Sequence, residues 1–360
     1  MAFNRSPKKR LTRKQFLKLS AAGAAGLLAG CQTAAPSDTP VQPDKTVPPA
    51  APATTPTAGG SNIGLKYPDA PSRVVHTRGV GVWDGDELSP AILRRMLDQS
   101  IARLTGQENP RDGWAALFSP DDRIAIKVNA FYNSLIWTHV PLVTAVTDCL
   151  QDAGVPADRI VLYDQTSDEL TTAGFAVNRD GAGVRCHGSD KSYEENTDIG
   201  GTLVPLSPVL KDCTALINMP VLKGHMLAGI TFAMKNHFGS VRYPEMLHSG
   251  IAKKIAQLNA LPEIKDRTRL VIGDILEANL EYGTRFPYWT ADYRGDSILM
   301  SFDPVAHDAV GLEILNRLLA DAGKRALSLQ SIAESSLAEA AALGLGTDQA
   351  EHMERIDVSV

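Results

Sequence analysis

Residues 123–128, Arg123-Ile124-Ala125-Ile126-Lys127-Val128, and the forty residues after them decide the fold class. The β-branched run reads as a strand. Residues 140–153 then carry apolar side chains at helical spacing and stop at Gly154, where a left-handed cap is expected. Residues 159–163, Arg159-Ile160-Val161-Leu162-Tyr163, make a second strand that finishes on Asp164. Strand, helix and strand form one βαβ unit, whose crossover is right-handed and whose strand ends make the usual ligand crevice. The alternation continues outward in both directions. Strands are expected at 73–80, 214–218, 269–273 and 297–302, with an edge strand at 356–360. Helices are expected at 90–104, capped by Ser89, at 304–322, capped by Asp303, and at 329–343. The expected architecture is α/β, a largely parallel sheet with flanking helices in a single large domain over residues 63–360. The polar, weakly periodic stretch 178–210 leaves an inserted lobe open.

Upstream, the chain reads as an export signal and a tether. Residues 1–31 carry seven lysines and arginines and no acid, then a short apolar run ending at Cys31. The run is too short for a membrane span, which needs roughly 20 apolar residues. Thr12 to Lys18 resembles a twin-arginine translocation motif with Lys14 in place of the second arginine, and Leu28-Ala29-Gly30-Cys31 resembles a bacterial lipobox. On that reading Cys31 is lipidated and holds the exported protein to the membrane on its extracytoplasmic side. Residues 32–62, rich in Pro, Ala and Thr, cannot bury enough apolar surface to fold and should stay extended.

Charge and cysteine content narrow the function classes. Removing the seven leader charges from a formal net charge of −5 leaves about −12, which does not favour nucleic acid as a partner. The remaining cysteines, Cys149, Cys186 and Cys213, contain no Cys-x-x-Cys, so a cysteine-ligated iron–sulfur cluster is not expected. Cys149 reads as packing, and Cys186 with Cys213 as a candidate disulfide. No Gly-x-Gly-x-x-Gly follows a strand.

The chemistry gathers at predicted strand ends. Lys127 and Asn129 close the first strand of the βαβ unit. Asn218-Met219-Pro220 leads into Val221-Leu222-Lys223-Gly224-His225, read as a turn before a helix that closes on Lys235-Asn236-His237-Phe238-Gly239. Such a helix would hold Lys223 and Lys235 roughly 15 Å apart. Asp164 and Asp274 follow apolar runs and stand as general bases, metal ligands or plain turn residues. Each candidate has a structural alternative: Lys127 as a paired buried lysine, His225 and His237 as residues satisfied at helix ends.

Four blocks in order, Ile126 to Asn129, Ala215 to His225, Ala233 to Gly239 and Asp303 to Gly311, resemble the domain-of-unknown-function family three-six-two from about residue 74 to 319. The family is defined by sequence, so the resemblance implies no activity. Some of its relatives carry ferredoxin-like cysteine motifs that this chain lacks.

Three functional readings follow. The first is an enzyme acting on a small anionic substrate, bound by Lys127, Asn129, Lys223, Lys235 and Asn236. In it His225, His237, Asp164 and Asp274 supply catalytic groups, and a divalent metal is a compatible cofactor. The second is a lipid-anchored binding protein using the same cations without catalysis. The third, a redox cofactor protein, fits twin-arginine export but has no cofactor motif of its own.

Overall fold

The computed structural model describes residues 71–360 except 132–133, 191, 194, 282–286 and 326–328. The expected export signal, Cys31 and the expected tether lie outside the described residues. In chain order the strands are β1 Ser72–Arg78, β2 Trp83–Asp84, β3 Glu87–Leu88, β4 Ile124–Lys127, β5 Ile160–Tyr163, β6 Arg185–Cys186 and β7 Asn196–Ile199. They continue as β8 Thr202–Pro205, β9 Ala215–Asn218, β10 Val221–His225, β11 Gly229–Thr231, β12 Thr268–Asn279, β13 Tyr293–Ser301 and β14 Met353–Ser359.

Among the described residues the central sheet has ten strands, ordered β14-β1-β13-β12-β9-β4-β5-β6, with β10 joined to β12 and β11 to β10. It is mostly parallel: only β1–β13, β12–β13 and β10–β11 run antiparallel. Period-two alternation along the buried strands sorts side chains onto two apolar layers. Ile124, Ile126, Ala215 and Ile217 belong to one core, with Leu93 and Val146 from the helices Pro90–Thr105 and Val140–Asp152. Ala125, Leu216 and Tyr163 belong to the other, with Ile255 and Leu315 from Ile251–Asn259 and Pro304–Asp321. The architecture is therefore α/β with helices on both faces. By the same alternation, Lys127 and Asn218 end their strands on the Ala125/Leu216 side.

Local signals explain the helix limits. Ser89 accepts a hydrogen bond from the Ile92 N–H, Pro90 occupies the first turn, and Gly106 at φ +76° closes the helix. Asp303 caps the helix Pro304–Asp321 by accepting from the Val305 and Ala306 N–H groups.

Three expectations are corrected. The segment 221–225 is strand β10, not a turn into a helix. After the break at Met219-Pro220 the chain resumes along the same long neighbour, β12, with Val221 opposite Asp274 and Lys223 opposite Asn279. Gly229, at φ +76°, then completes a hairpin in which Lys223 faces Thr231. No helix separates Lys223 from Lys235. Second, β12 does not stop at Gly273. Pairing with β13 and β10 carries it to Asn279, so Asp274 sits within the strand. Third, Cys186 and Cys213 are free, buried thiols that belong to different apolar layers, so the sheet separates them. The stretch 178–210 supplies β6 to the sheet edge and the β7–β8 ribbon.

Candidate functional site

A cavity of about 150 Å³ opens beyond the C-terminal ends of β4, β5 and β10. Lys127, Asn129, Asp164, Lys223, His225, Lys235 and Asn236 all line it. They arrive from four separate segments, because parallel strands end together at one edge of the sheet.

A buried polar frame forms its floor. Lys127 Nζ lies 2.7 Å from Asp164 Oδ1 and donates to the Val128 carbonyl at 2.6 Å. Asp164 also accepts from the Ala130 and Gln165 N–H groups at 2.6 and 2.8 Å. Asn236 Oδ1 accepts from Asn129 Nδ2 at 3.0 Å, and Asn236 Nδ2 donates to Asn218 Oδ1 at 2.8 Å. Its members satisfy one another, as buried polar groups must. Gly239 is part of this packing: a Cβ there would fall 2.2 Å from Asp164 Oδ1 and 2.7 Å from Lys127 Nζ. Gly239→Ala is expected to cost about 1–3 kcal/mol by overpacking. Urea unfolding checks this, and an unchanged midpoint would show that the ion pair can move aside.

The two remaining lysines differ from Lys127. Among the described residues Lys223 Nζ donates only to neutral acceptors, Asn129 Oδ1 at 2.7 Å and Ser134 Oγ at 3.1 Å. Burial outweighs its distant carboxylates and lowers its pKa to about 7. Among the described residues Lys235 has no hydrogen-bond acceptor and no carboxylate partner. Its side chain is nine-tenths buried and its Nζ stands 4.0 Å from the centre of the Phe238 ring. Burial alone brings it to about 7, while the ring face favours the charged form.

The Nδ1 atom of His225 is occupied by the backbone. It accepts from the Leu227 and Ala228 N–H groups at 3.0 and 3.2 Å, which leaves the ring hydrogen on Nε2. Burial, then the positive charges of Lys235, His248 and Lys223, hold its pKa well below the usual histidine value. A metal fits poorly here. Ligation through Nε2 would force a proton onto Nδ1 against two N–H donors, beside two ammonium groups that repel a cation. Among the described residues no group of three or more His, Cys, Asp or Glu is placed to hold a metal ion.

His237 and Asp274 do not line the cavity. Where the helix Ala233–Asn236 tightens into the turn His237–Ser240, the His237 ring points inward and meets Ser240 Oγ at 3.3 Å. Burial, and then Lys127, lower its pKa to about 3, so it is neutral. Asp274 is fully buried and pairs with His139, Oδ2 lying 2.8 Å from Nδ1, while Glu277 stands 3.5 Å from Nε2. Burial opposes charge on His139, but the two carboxylates outweigh it and raise its pKa to about 10. In this arrangement both lie behind the cavity wall and are engaged with protein partners. Sequence reasoning also missed the buried carboxylate Glu169, with Gln165, Thr231 and Pro244, and the rings of Phe131, Phe238, His248 and Trp289, which with Gly239 complete the lining. Aromatic side chains carry no spacing signal that separates a cavity wall from ordinary core.

A model of the family described as Domain of unknown function (DUF362) matches residues 124–313. The chain belongs to that family. No curated protein matches the sequence. Among solved structures, a Thermotoga maritima protein from a structural genomics programme is similar at 10% identity, with a TM-score of 0.36 over 67% of this chain and 60% of that one. The lactate racemase apoprotein of Thermoanaerobacterium thermosaccharolyticum is similar at 10% identity, with a TM-score of 0.33 over 67% of this chain and 57% of that one. The chain thus spans less than two thirds of either structure.

The DUF362 blocks have distinct physical jobs. The first three place Lys127, Asn129, Lys223, His225, Lys235 and Asn236 in the cavity wall. The fourth block works from behind. Asp308 accepts from the Ala233 and Met234 N–H groups at 2.7 and 2.9 Å, which fixes the start of the helix carrying Lys235. His307 packs on Phe232 with ring centres 4.4 Å apart. Gly273 and Gly311 leave the room that Phe232 takes, since a Cβ on either would fall within 2.5 Å of its ring.

Proposed function

We propose that the cavity binds a small organic anion and is the active site of an enzyme acting on it. The observation that carries this reading is Lys235, a buried ammonium with no counterion among the described residues, beside a second lysine held only by neutral acceptors. Burying a charge without a partner costs several kcal/mol, and an anionic ligand supplies the missing partner. In this reading Lys235 anchors the anion, and His225 stands in the wall beside it. Lys223, with a pKa of about 7, exchanges a proton with the bound molecule. The Lys127–Asp164 pair and the two asparagines keep these groups in place. The volume, about 150 Å³, suits a head group of roughly benzene size.

Titration calorimetry with acetate, whose charge is constant between pH 6 and 9, tests the reading. The ammonium form binds the anion, so affinity is expected to be highest at pH 6 and to fall about tenfold per unit above pH 7. Absence of saturable binding at pH 6 would remove the proposal. For an anion that is turned over, Lys223→Met should abolish turnover while leaving affinity within about threefold. In a binding protein the same change would alter affinity alone. We also propose that the domain is exported and held to the membrane by a lipid on Cys31. Cys31→Ser should then release it from the membrane fraction, and retention there would contradict the lipid anchor.

A further inference from the structure

The cavity has exposed hydrophobic neighbours. Nine large hydrophobic side chains are exposed among the described residues, and five of them, Leu135, Met226, Leu227, Tyr243 and Met246, belong to backbone close in the chain or hydrogen-bonded to residues of its wall. The Leu135 N–H donates to the carbonyl of Trp289 at 2.8 Å. Met226 and Leu227 form the turn directly after His225, and the Leu227 N–H is one of the two donors on the His225 ring. Tyr243 and Met246 flank Pro244 on the segment leading to His248, and both Pro244 and His248 are wall residues. Single exposed hydrophobic residues need no explanation, but five of nine attached to the wall segments of one cavity do. The cavity itself is too small to use them, since a head group of roughly benzene size fills it.

We infer that the ligand is an amphiphile, a soluble carboxylate whose anionic head sits on Lys235 and whose apolar tail leaves through the mouth and lies over Met226, Met246 and their neighbours. This inference rests on the anion-site reading and names the substrate class for it. Lys235 supplies the charge complement for the head, the rings of Phe131, Phe238 and Trp289 give the cavity an apolar wall, and the exposed hydrophobic residues stand on the same segments as other wall residues.

Calorimetry on the full chain at pH 6 with acetate, butanoate, hexanoate and octanoate, all below micelle-forming concentrations, tests it. Affinity is expected to rise roughly fourfold for each buried methylene from butanoate to octanoate. The double variant Met226→Ser/Met246→Ser should return octanoate to nearly the affinity of butanoate while leaving acetate within twofold. Equal affinity for butanoate and octanoate, with acetate binding intact, would overturn the amphiphile and keep the anion site. Octanoate binding unchanged in Lys235→Met would place the molecule elsewhere and overturn the inference. Binding to phosphatidylglycerol vesicles that survives Lys235→Met but is lost in the double serine variant would assign the exposed hydrophobic residues to a bilayer, again overturning it. No binding by any member of the series would overturn both readings together.

Discussion

Replacing Lys235 by methionine is expected to make the protein more stable and to weaken anion binding by about two orders of magnitude. Both effects come from one ammonium group. Methionine keeps the length and apolar stem of the side chain, so it can still pack on Phe238, but it brings no charge into the cavity. A lysine whose pKa falls from 10.5 in the unfolded chain to about 7 in the folded one costs stability wherever the unfolded chain still holds the proton. That cost is complete below pH 7 and disappears as pH rises toward 10.5. At pH 6 the variant should therefore gain up to about 5 kcal/mol, since a tenfold change in proton affinity corresponds to about 1.4 kcal/mol, and by pH 10 the gain should fall below about 1 kcal/mol. Lys223 contributes with the same sign. His139 runs the other way: its raised pKa gives stability that is complete below about 6.5 and lost as pH passes 10. The loss of affinity follows from removing a charge-assisted contact of about 1.5–3 kcal/mol in a desolvated site. Urea unfolding at pH 6 and pH 10, with anion titration, reads all of this. A destabilised variant at pH 6 would mean that the ammonium is already well compensated, and the anion site would lose its main support.

Asp164→Asn is expected to destabilise the fold by about 3–5 kcal/mol. The carboxylate is buried with Lys127 and accepts two backbone N–H groups besides, so the substitution leaves an ammonium in the floor of the cavity with only neutral acceptors. Desolvation is what makes this large, since an exposed pair of the same geometry contributes well under 1 kcal/mol. The double variant Lys127→Met/Asp164→Asn should recover most of the loss, because it removes the stranded charge with its partner. A chemical-denaturation cycle over the two single variants and the double measures the coupling. Additive losses would mean that each group is satisfied independently of the other, against the 2.7 Å separation.

Much of the site is legible in the chain. Lys127, Asn129, Asp164, Lys223, His225, Lys235 and Asn236 stand out as charged, imidazole and amide residues beside apolar runs, and all seven meet at one cavity. The rule that works is local: a parallel strand presents its polar chemistry just past its C-terminal end. The rule fails for Asp274 and His237 for different reasons. Asp274 follows an apolar run, but pairing partners from elsewhere prolong its strand, and the carboxylate meets His139 instead of the cavity. His237 shares a block with Lys235 and Asn236, yet one tightened turn sends its ring inward.

By itself the sequence determined the βαβ unit, the alternation of strands and helices, the caps at Ser89 and Asp303, and the residue types gathered at strand ends. These follow from interactions within a few residues: periodicity, side-chain caps and backbone preferences. Only the tertiary structure decided that Val221 to His225 is a strand. Its glycine and buried lysine speak against a strand locally, and the long edge of β12 supplies the pairing that outweighs them. It also decided which lysine is paired and which is left without a counterion, because that depends on a carboxylate placed 37 residues from Lys127 in the chain and 71 from Lys235. Charge compensation in a buried site is set by distances across the fold, and sequence separation carries no information about them.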